Sequence, residues 1–256
     1  DVIRAALDAG VRLIDTADAY CLDDADIGHN EMLIAEALRG WSGDRDAVLV
    51  ATKGGLIRPG GRWDRDGRPE HLRAACEHSL RALGVERIAL YQLHAPDERV
   101  PFEDSVGALA DLRREGKIRW VGLSNVDVEQ IRAAEAITPV ASVQNRLNPF
   151  FREALEEGVV RYCARQKIGF LAYSPTGGGR LNLKLPEHPV LRPMAARLGV
   201  TAHALVIAWA LAQSPTVTVI PSARRVEHAL DSVRAGGLGL SAEDLAAING
   251  ATFSRA

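Results

Sequence analysis

Residues 47–53 read AVLVATK, a short, β-branched and almost continuously apolar run that stops at a lysine. A strand without polar alternation suits a parallel sheet covered on both faces. A lysine closing such a run is unusual unless something pairs with it. Runs of the same build lie on either side: VRLID (11–15) closes on Asp15, and IALYQLH (88–94) closes on His94. Together they predict strands over Val11–Asp15, Val48–Thr52 and Ile88–Leu93. Further strands are predicted at Trp120–Leu123, Val140–Val143, Ile168–Ala172 and Val217–Ile220.

Amphipathic helices fill the gaps. In PEHLRAACEHSLRALG (69–84), Leu72, Cys76, Leu80 and Leu83 share one face and Gly84 is a stop signal. In FEDSVGALADLRREGK (102–117), Val106, Leu109 and Leu112 do the same, with Gly116 as the stop. Alternating strand and helix predicts a parallel sheet with right-handed crossovers. No G-x-G-x-x-G follows any strand, which argues against an open doubly wound dinucleotide sheet. The fold class expected is therefore α/β, a (β/α)8 TIM barrel. Only seven strands are readable and the chain opens on a helix, so the expectation is a barrel whose first strand is missing from this chain. Residues 1–256 then form one N-terminally truncated barrel domain, with no linker or low-complexity tract.

Bulk properties narrow the function. A net charge of −2 and a pI near 6.4 supply no basic field for nucleic acid or anionic lipid. No apolar run is long enough to cross a membrane, and DVIRAALDAG (1–10) reads as an amphipathic helix, not a signal peptide. Cys21, Cys76 and Cys163 are too widely spaced to suggest a disulfide framework or a zinc site. A reducing cytoplasmic setting is the default expectation, with no metal.

If the first three runs are neighbouring parallel strands, Asp15, Tyr20 (five residues beyond Asp15), Lys53 and His94 gather at one rim. That rim is where barrel enzymes place their chemistry. Each residue has a plainer reading alone: a turn cap, a cover for a core edge, an amine reaching solvent, a core imidazole. Together they form a proton-transfer set. Beside Asp15 the lysine is held as an ammonium, which favours the phenolate of Tyr20. A tuned tyrosine gives a proton to a developing alkoxide, and tyrosine and histidine together hydrogen-bond a carbonyl oxygen. None of these groups supplies a hydride, so a cofactor must.

DTADAY (15–20), VATKGG (50–55), LYQLHAPD (90–97), IRWVGLSN (118–125), SVQN (142–145), AYSP (172–175) and VIPSARR (219–225) resemble, in order and spacing, the aldo-keto reductase family. The resemblance runs over essentially the whole chain. It implies a (β/α)8 barrel that reduces aldehydes or ketones with a nicotinamide cofactor bound in extended form. By position Tyr20 is the general acid, Lys53 and Asp15 tune it, and His94 orients the carbonyl. Ser124, Asn125 and Gln144 would hold the nicotinamide carboxamide, the alternative for the first two being helix capping. Tyr173 would stack on the nicotinamide ring. Ser174, Pro175, Thr176, Gly177 and Arg180, in SPTGGGR, would wrap the pyrophosphate, or else form a plain flexible loop. Pro221, Ser222, Ala223 and Arg224 lead into a helix. Arg224 and Arg225 at a helix start are unfavourable unless an anion is near, which fits the 2′-phosphate of NADPH. His228, Asp231 and Ser232 fall on the adenosine side. Ser222 and Ser232 stand where the family often has Gly or Lys, and Asn.

The substrate class implied is a small-molecule carbonyl, with monomer and homo-oligomer both open. A second reading is a cofactor-binding regulatory subunit with little turnover. A lyase or isomerase without nicotinamide would need metal ligands or a phosphate site in place of these four residues, and no metal-binding cluster such as H-E-x-x-H is present in the sequence. Trp63, Phe150 and Phe151 either line an apolar pocket or pack. The loop GLIRPGGRWDRDGRPE (55–70) either closes over an anionic substrate or is solvated.

Overall fold

The computed structural model describes residues 1–256. The strands in chain order are β1 (Leu13–Asp15), β2 (Leu49–Gly54), β3 (Leu56–Ile57), β4 (Asp64–Arg65), β5 (Ile88–Leu93), β6 (Ile118–Ser124), β7 (Val140–Arg146), β8 (Gly169–Tyr173) and β9 (Val217–Ile220). The helices are α1 (Val2–Asp8), α2 (His29–Arg39), α3 (Pro69–Leu83), α4 (Phe102–Arg114), α5 (Val128–Glu135), α6 (Glu153–Glu156), α7 (Val159–Gln166), α8 (Leu191–Leu198), α9 (Ala202–Leu211), α10 (Val226–Ala235) and α11 (Ala242–Gly250). Seven strands follow one another in chain order in one sheet, β1-β2-β5-β6-β7-β8-β9. The seven strands read from the sequence are these seven, two of them with the same ends and the others with ends moved by at most three residues. No helix by itself is long and apolar enough to cross a membrane.

The chain divides into two compact units. The first, Val11–Gln144, holds β1 to β6 and most of β7, with α2 to α5. Its strands in the seven-stranded sheet pair in parallel: Asp15 lies opposite Ala51, Lys53 opposite Gln92, Gln92 opposite Gly122, and Ser124 opposite Gln144. Because side chains alternate along a strand, these partners share one face. The other face packs on helices. In α3, Leu72, Ala75, Cys76, Leu80 and Leu83 are buried, Pro69 opens the helix, and Gly84 closes it in the left-handed conformation at φ 67°. In α4, Val106, Leu109 and Leu112 are buried, with acids in the first turn and arginines in the last.

The loop after β2 contains structure that the sequence did not announce. Leu56 pairs with Arg65 and Ile57 with Asp64 in a two-residue antiparallel hairpin, β3–β4. Arg58 donates to the carbonyls of Leu22 (3.0 Å) and Gly61 (2.6 Å) and lies over the Trp63 ring.

The second unit comprises Asp1–Gly10 and Asn145–Ala256. Here β8 pairs in parallel with β9, and α9 is buried almost all round, Trp209 completely. The Trp209 indole donates to Asn249 at 2.8 Å, so the polar atom of this core side chain is satisfied.

Candidate active site

The shared face of β1, β2 and β5 carries a buried ion pair. Lys53 is completely buried, and its ammonium donates to Asp15 Oδ2 (2.6 Å), the Thr16 carbonyl (2.8 Å) and the Tyr20 hydroxyl (3.1 Å). An ammonium has three protons, and three acceptors account for them. Asp15 Oδ1 in turn accepts from Gln92 Nε2 (3.1 Å) and Gln144 Nε2 (2.8 Å). A buried charge pair is tolerated when its remaining lone pairs are satisfied in this way.

Two glycines make this geometry possible. At Gly54, which closes β2, an added Cβ would sit 2.1 Å from the Tyr91 hydroxyl. At Gly122, opposite Gln92, a Cβ would sit 2.7 Å from Gln92 Cγ and 2.5 Å from Ser142 Oγ. Glycine at 122 thus leaves the volume through which Gln92 reaches Asp15.

Tyr20 emerges from a turn whose other residues, Thr16 to Ala19, are all buried, and it is 38% exposed. Its ring meets that of His94 edge-on, with centroids 5.6 Å apart. His94 follows β5 and is held by its own N–H, which donates to the Gly54 carbonyl (2.9 Å). Burial, and then the neighbouring Lys53 charge, push the imidazole down to about 3, so it is neutral across the physiological range. Its Nδ1 is buried without a hydrogen-bond partner.

At the end of β6, Asn125 adopts a left-handed conformation (φ 59°), and its Nδ2 donates to the His94 carbonyl (3.0 Å) and to Ser124 Oγ (3.1 Å). The helix cap before α5 is Asp127, so neither Ser124 nor Asn125 is spent on capping. A cavity of about 690 Å3 adjoins these residues, lined among others by Trp63, Ala95, Asp97, Arg99 and Asn125. Arginines of the two flanking loops are engaged: Arg65 with Glu98 (3.7 Å), Arg68 with Asp66 (2.7 Å), and Arg99 with Asp97 (2.9 Å) and Asp64 (3.4 Å).

In the second unit, Tyr173 ends β8 with the Arg146 guanidinium 5.5 Å from its ring. Ser174 and Gly177–Gly179 all have positive φ, and at Gly179 an added Cβ would meet nothing within 4 Å. At Gly177, by contrast, an added Cβ would lie 3.0 Å from both Leu181 and Phe150, so the open backbone is at Gly179. Arg180 donates to the Arg255 carbonyl (2.9 Å), and Pro175 is buried. Arg224 is exposed and Arg225, the residue before α10, lies 3.3 Å from Glu227. Ser222 and His228 are exposed, while Pro221, Thr176 and Ala223 are half-buried. Asp231 accepts from the Thr201 hydroxyl (2.7 Å), and Ser232 Oγ donates to the His228 carbonyl (3.0 Å), so both hydroxyls are spent inside the unit. Phe150 packs edge-on against Phe253, and Phe151 lies between Arg146 and Arg255, as packing residues do.

Sequence reasoning missed Gln92 and Asp18. The signal for Gln92 was a lone polar residue inside an otherwise apolar strand. Asp18, 3% exposed, lies in the same loop as Tyr20.

The sequence matches the profile of the Aldo/keto reductase family over residues 1–252. The chain belongs to the aldo/keto reductase family. It is 36% identical over 240 residues to an uncharacterized oxidoreductase of Schizosaccharomyces pombe, covering 93% of this chain and 74% of that protein. It is 32% identical over 271 residues to a probable aldo-keto reductase of Glycine max, covering 95% and 76%. Among solved structures, an aldo-keto reductase from Klebsiella pneumoniae in complex with NADPH superposes with a TM-score of 0.82 at 30% identity, covering 97% of this chain and 82% of that one. The fold class is accordingly the α/β barrel of aldo/keto reductases. Membership makes the chain an oxidoreductase that acts on small-molecule carbonyl compounds.

Proposed function

We propose that the protein is an NADPH-dependent reductase of aldehydes or ketones in which Tyr20 is the general acid. The observation that carries this reading is the Lys53 ammonium, which joins Asp15 and the Tyr20 hydroxyl while wholly buried. That contact stabilises the phenol oxygen as it loses its proton, and Asp15 keeps the lysine charged. The neutral His94 imidazole stands at the edge of the Tyr20 ring and can donate to the same carbonyl oxygen, adding a second hydrogen bond to the charge that develops there. NADPH supplies the hydride when bound.

The residues fit such a cofactor. Ser124, Asn125 and Gln144 present amide and hydroxyl groups at the ends of β6 and β7, beside the ion pair. The left-handed Gly178 and Gly179 offer backbone N–H groups, the Gly177 N–H being held by the Ser174 carbonyl, and Arg224 is an exposed cation outside any ion pair. Gln144 gives its Nε2 to Asp15, which leaves its carbonyl oxygen as the group for a carboxamide N–H. Arg65, Arg68 and Arg99, beside the cavity, are each paired to acids, so these three are not free to receive an anionic substrate.

The test is NADPH oxidation by the protein against a panel of aldehydes and ketones, with the alcohol product identified. Turnover with stoichiometric alcohol supports the reading. NADPH bound tightly with no turnover on any member favours the regulatory-subunit reading.

A further inference from the structure

The glycine loop that follows β8 begins on a backbone outlier. Ser174, directly after Tyr173, holds φ at 49°, a left-handed conformation that is costly for a residue with a Cβ. Such a conformation persists only where its surroundings hold it. The Ser174 carbonyl takes two hydrogen bonds, from the Gly177 N–H (2.9 Å), which closes the turn, and from Asn148 Nδ2 (2.8 Å). The carbonyl before it, that of Tyr173, accepts from the Leu147 N–H (3.4 Å).

Asn148 lies between β7 and α6 and is completely buried. Its Oδ1 accepts from the N–H groups of Phe150 (2.9 Å) and Phe151 (3.1 Å). Its backbone exchanges two further bonds with Phe151, at 3.1 and 3.0 Å. These partners fix which way the amide points, because the reverse would set Nδ2 against two N–H groups and Oδ1 against a carbonyl. The Oδ1 end is a local turn contact. The Nδ2 end reaches 26 residues along the chain, to the carbonyl of the left-handed residue. Phe150, held by the Oδ1 end, has its ring against Gly177, where an added Cβ would lie 3.0 Å from it. Both ends of one buried amide therefore act on the same loop. An asparagine neither gives nor takes a proton in catalysis, so its burial here serves geometry.

We propose that Asn148 is a positioning residue for the cofactor: by donating to the Ser174 carbonyl it holds the left-handed turn that has Tyr173 at one end and the open Gly178 and Gly179 backbone at the other. The proposal rests on the reading that Tyr173 and this loop receive the nicotinamide and pyrophosphate of NADPH. Without the donor, the Ser174 turn relaxes in the free chain to commoner backbone conformations, and binding must restore it. The loss then falls on the affinity of any ligand that touches the loop. A ligand with only the adenosine end is spared it.

The experiment titrates NADPH and adenosine 2′-monophosphate, which has the 2′-phosphate but neither pyrophosphate nor nicotinamide, into wild type, Asn148→Ala, Ser174→Gly and the double variant. Asn148→Ala should raise the NADPH Kd about tenfold, the size of one lost buried hydrogen bond, and the adenosine 2′-monophosphate Kd less than about twofold. Glycine adopts the left-handed conformation unaided. Beside Ser174→Gly the same replacement should therefore raise the NADPH Kd less than about threefold, whereas a mere packing defect would act equally in both backgrounds. Asn148→Asp keeps an acceptor for the Phe150 and Phe151 N–H groups and lacks only the donor. It should show the NADPH loss too, and it carries the test where the alanine variant does not fold. Equal losses for the two ligands, or an undiminished loss beside Ser174→Gly, would overturn the proposal and leave the cofactor reading intact. A wild type that binds NADPH no more tightly than adenosine 2′-monophosphate would overturn the reading of the loop itself, and the proposal with it.

Discussion

Lys53 is the residue on which the site depends, because a single buried ammonium supplies three contacts that no neutral side chain can replace. Lys53→Met should lower kcat by about 10²- to 10⁴-fold, the range of a lost acid–base partner. It should also strand the buried Asp15 carboxylate, at about 3–5 kcal/mol of stability. Adding Asp15→Asn to it should restore part of the stability and none of the turnover, which denaturant melts and steady-state rates of the two variants would check. His94 has a pH signature of its own. Its imidazole is pushed down to about 3, so the unfolded chain takes up a proton near 6.5 that the folded chain refuses. Stability at this residue is therefore lost as pH falls from about 6.5 toward 3, and a His94→Gln variant should not share that loss in urea melts at pH 4 and 7. Asp15, Lys53 and His94 were legible because a polar residue closing an apolar run stands out, and Tyr20 because it lies five residues beyond Asp15 in the DTADAY motif. Gln92 was not, because what it does depends on which face of the sheet it occupies, and that is fixed by register with other strands.

Register is the property of the elements. Lys53 lies opposite Gln92, and Gln92 opposite Gly122, so the support of Asp15 spans three strands. Gly122→Ala would place a methyl within 2.7 Å of Gln92 Cγ. The expected result is an overpacking cost of about 1–3 kcal/mol, with Gln92 driven off Asp15. Turnover should fall while NADPH affinity changes by less than about threefold, as rates and cofactor titration would show; an unchanged kcat would mean that Gln92 is not needed to hold Asp15. The seven parallel strands were readable because each is a compact apolar run. The β3–β4 hairpin was not, since two-residue strands are shorter than any period, and its loop stayed open between closing over an anion and being solvated until Arg65 was placed beside Glu98 of the next loop and Arg68 beside Asp66.

For the whole molecule, the alternation of strand and helix was enough to give the fold class, and the order of motifs was enough to give the family. The cofactor side was less legible, because its residues do not close apolar runs and their partners are distant in sequence. The two adjacent arginines before α10 look equivalent in the sequence, yet Arg225 lies by Glu227 and Arg224 does not. Arg224→Ala should therefore weaken NADPH binding at least about tenfold and NADH binding little, and Arg225→Ala should have the smaller effect, as fluorescence titration of both cofactors would read. Equal losses for NADPH and NADH would remove the 2′-phosphate assignment. The account as a whole stands on Tyr20 as the proton donor in carbonyl reduction. The most direct measurement is the single-turnover rate of NADPH oxidation by Tyr20→Phe with a carbonyl compound that the wild type reduces, alongside its NADPH affinity. The account predicts a rate lower by at least about 10²-fold with cofactor affinity preserved; a rate within a fewfold of the wild type would contradict it.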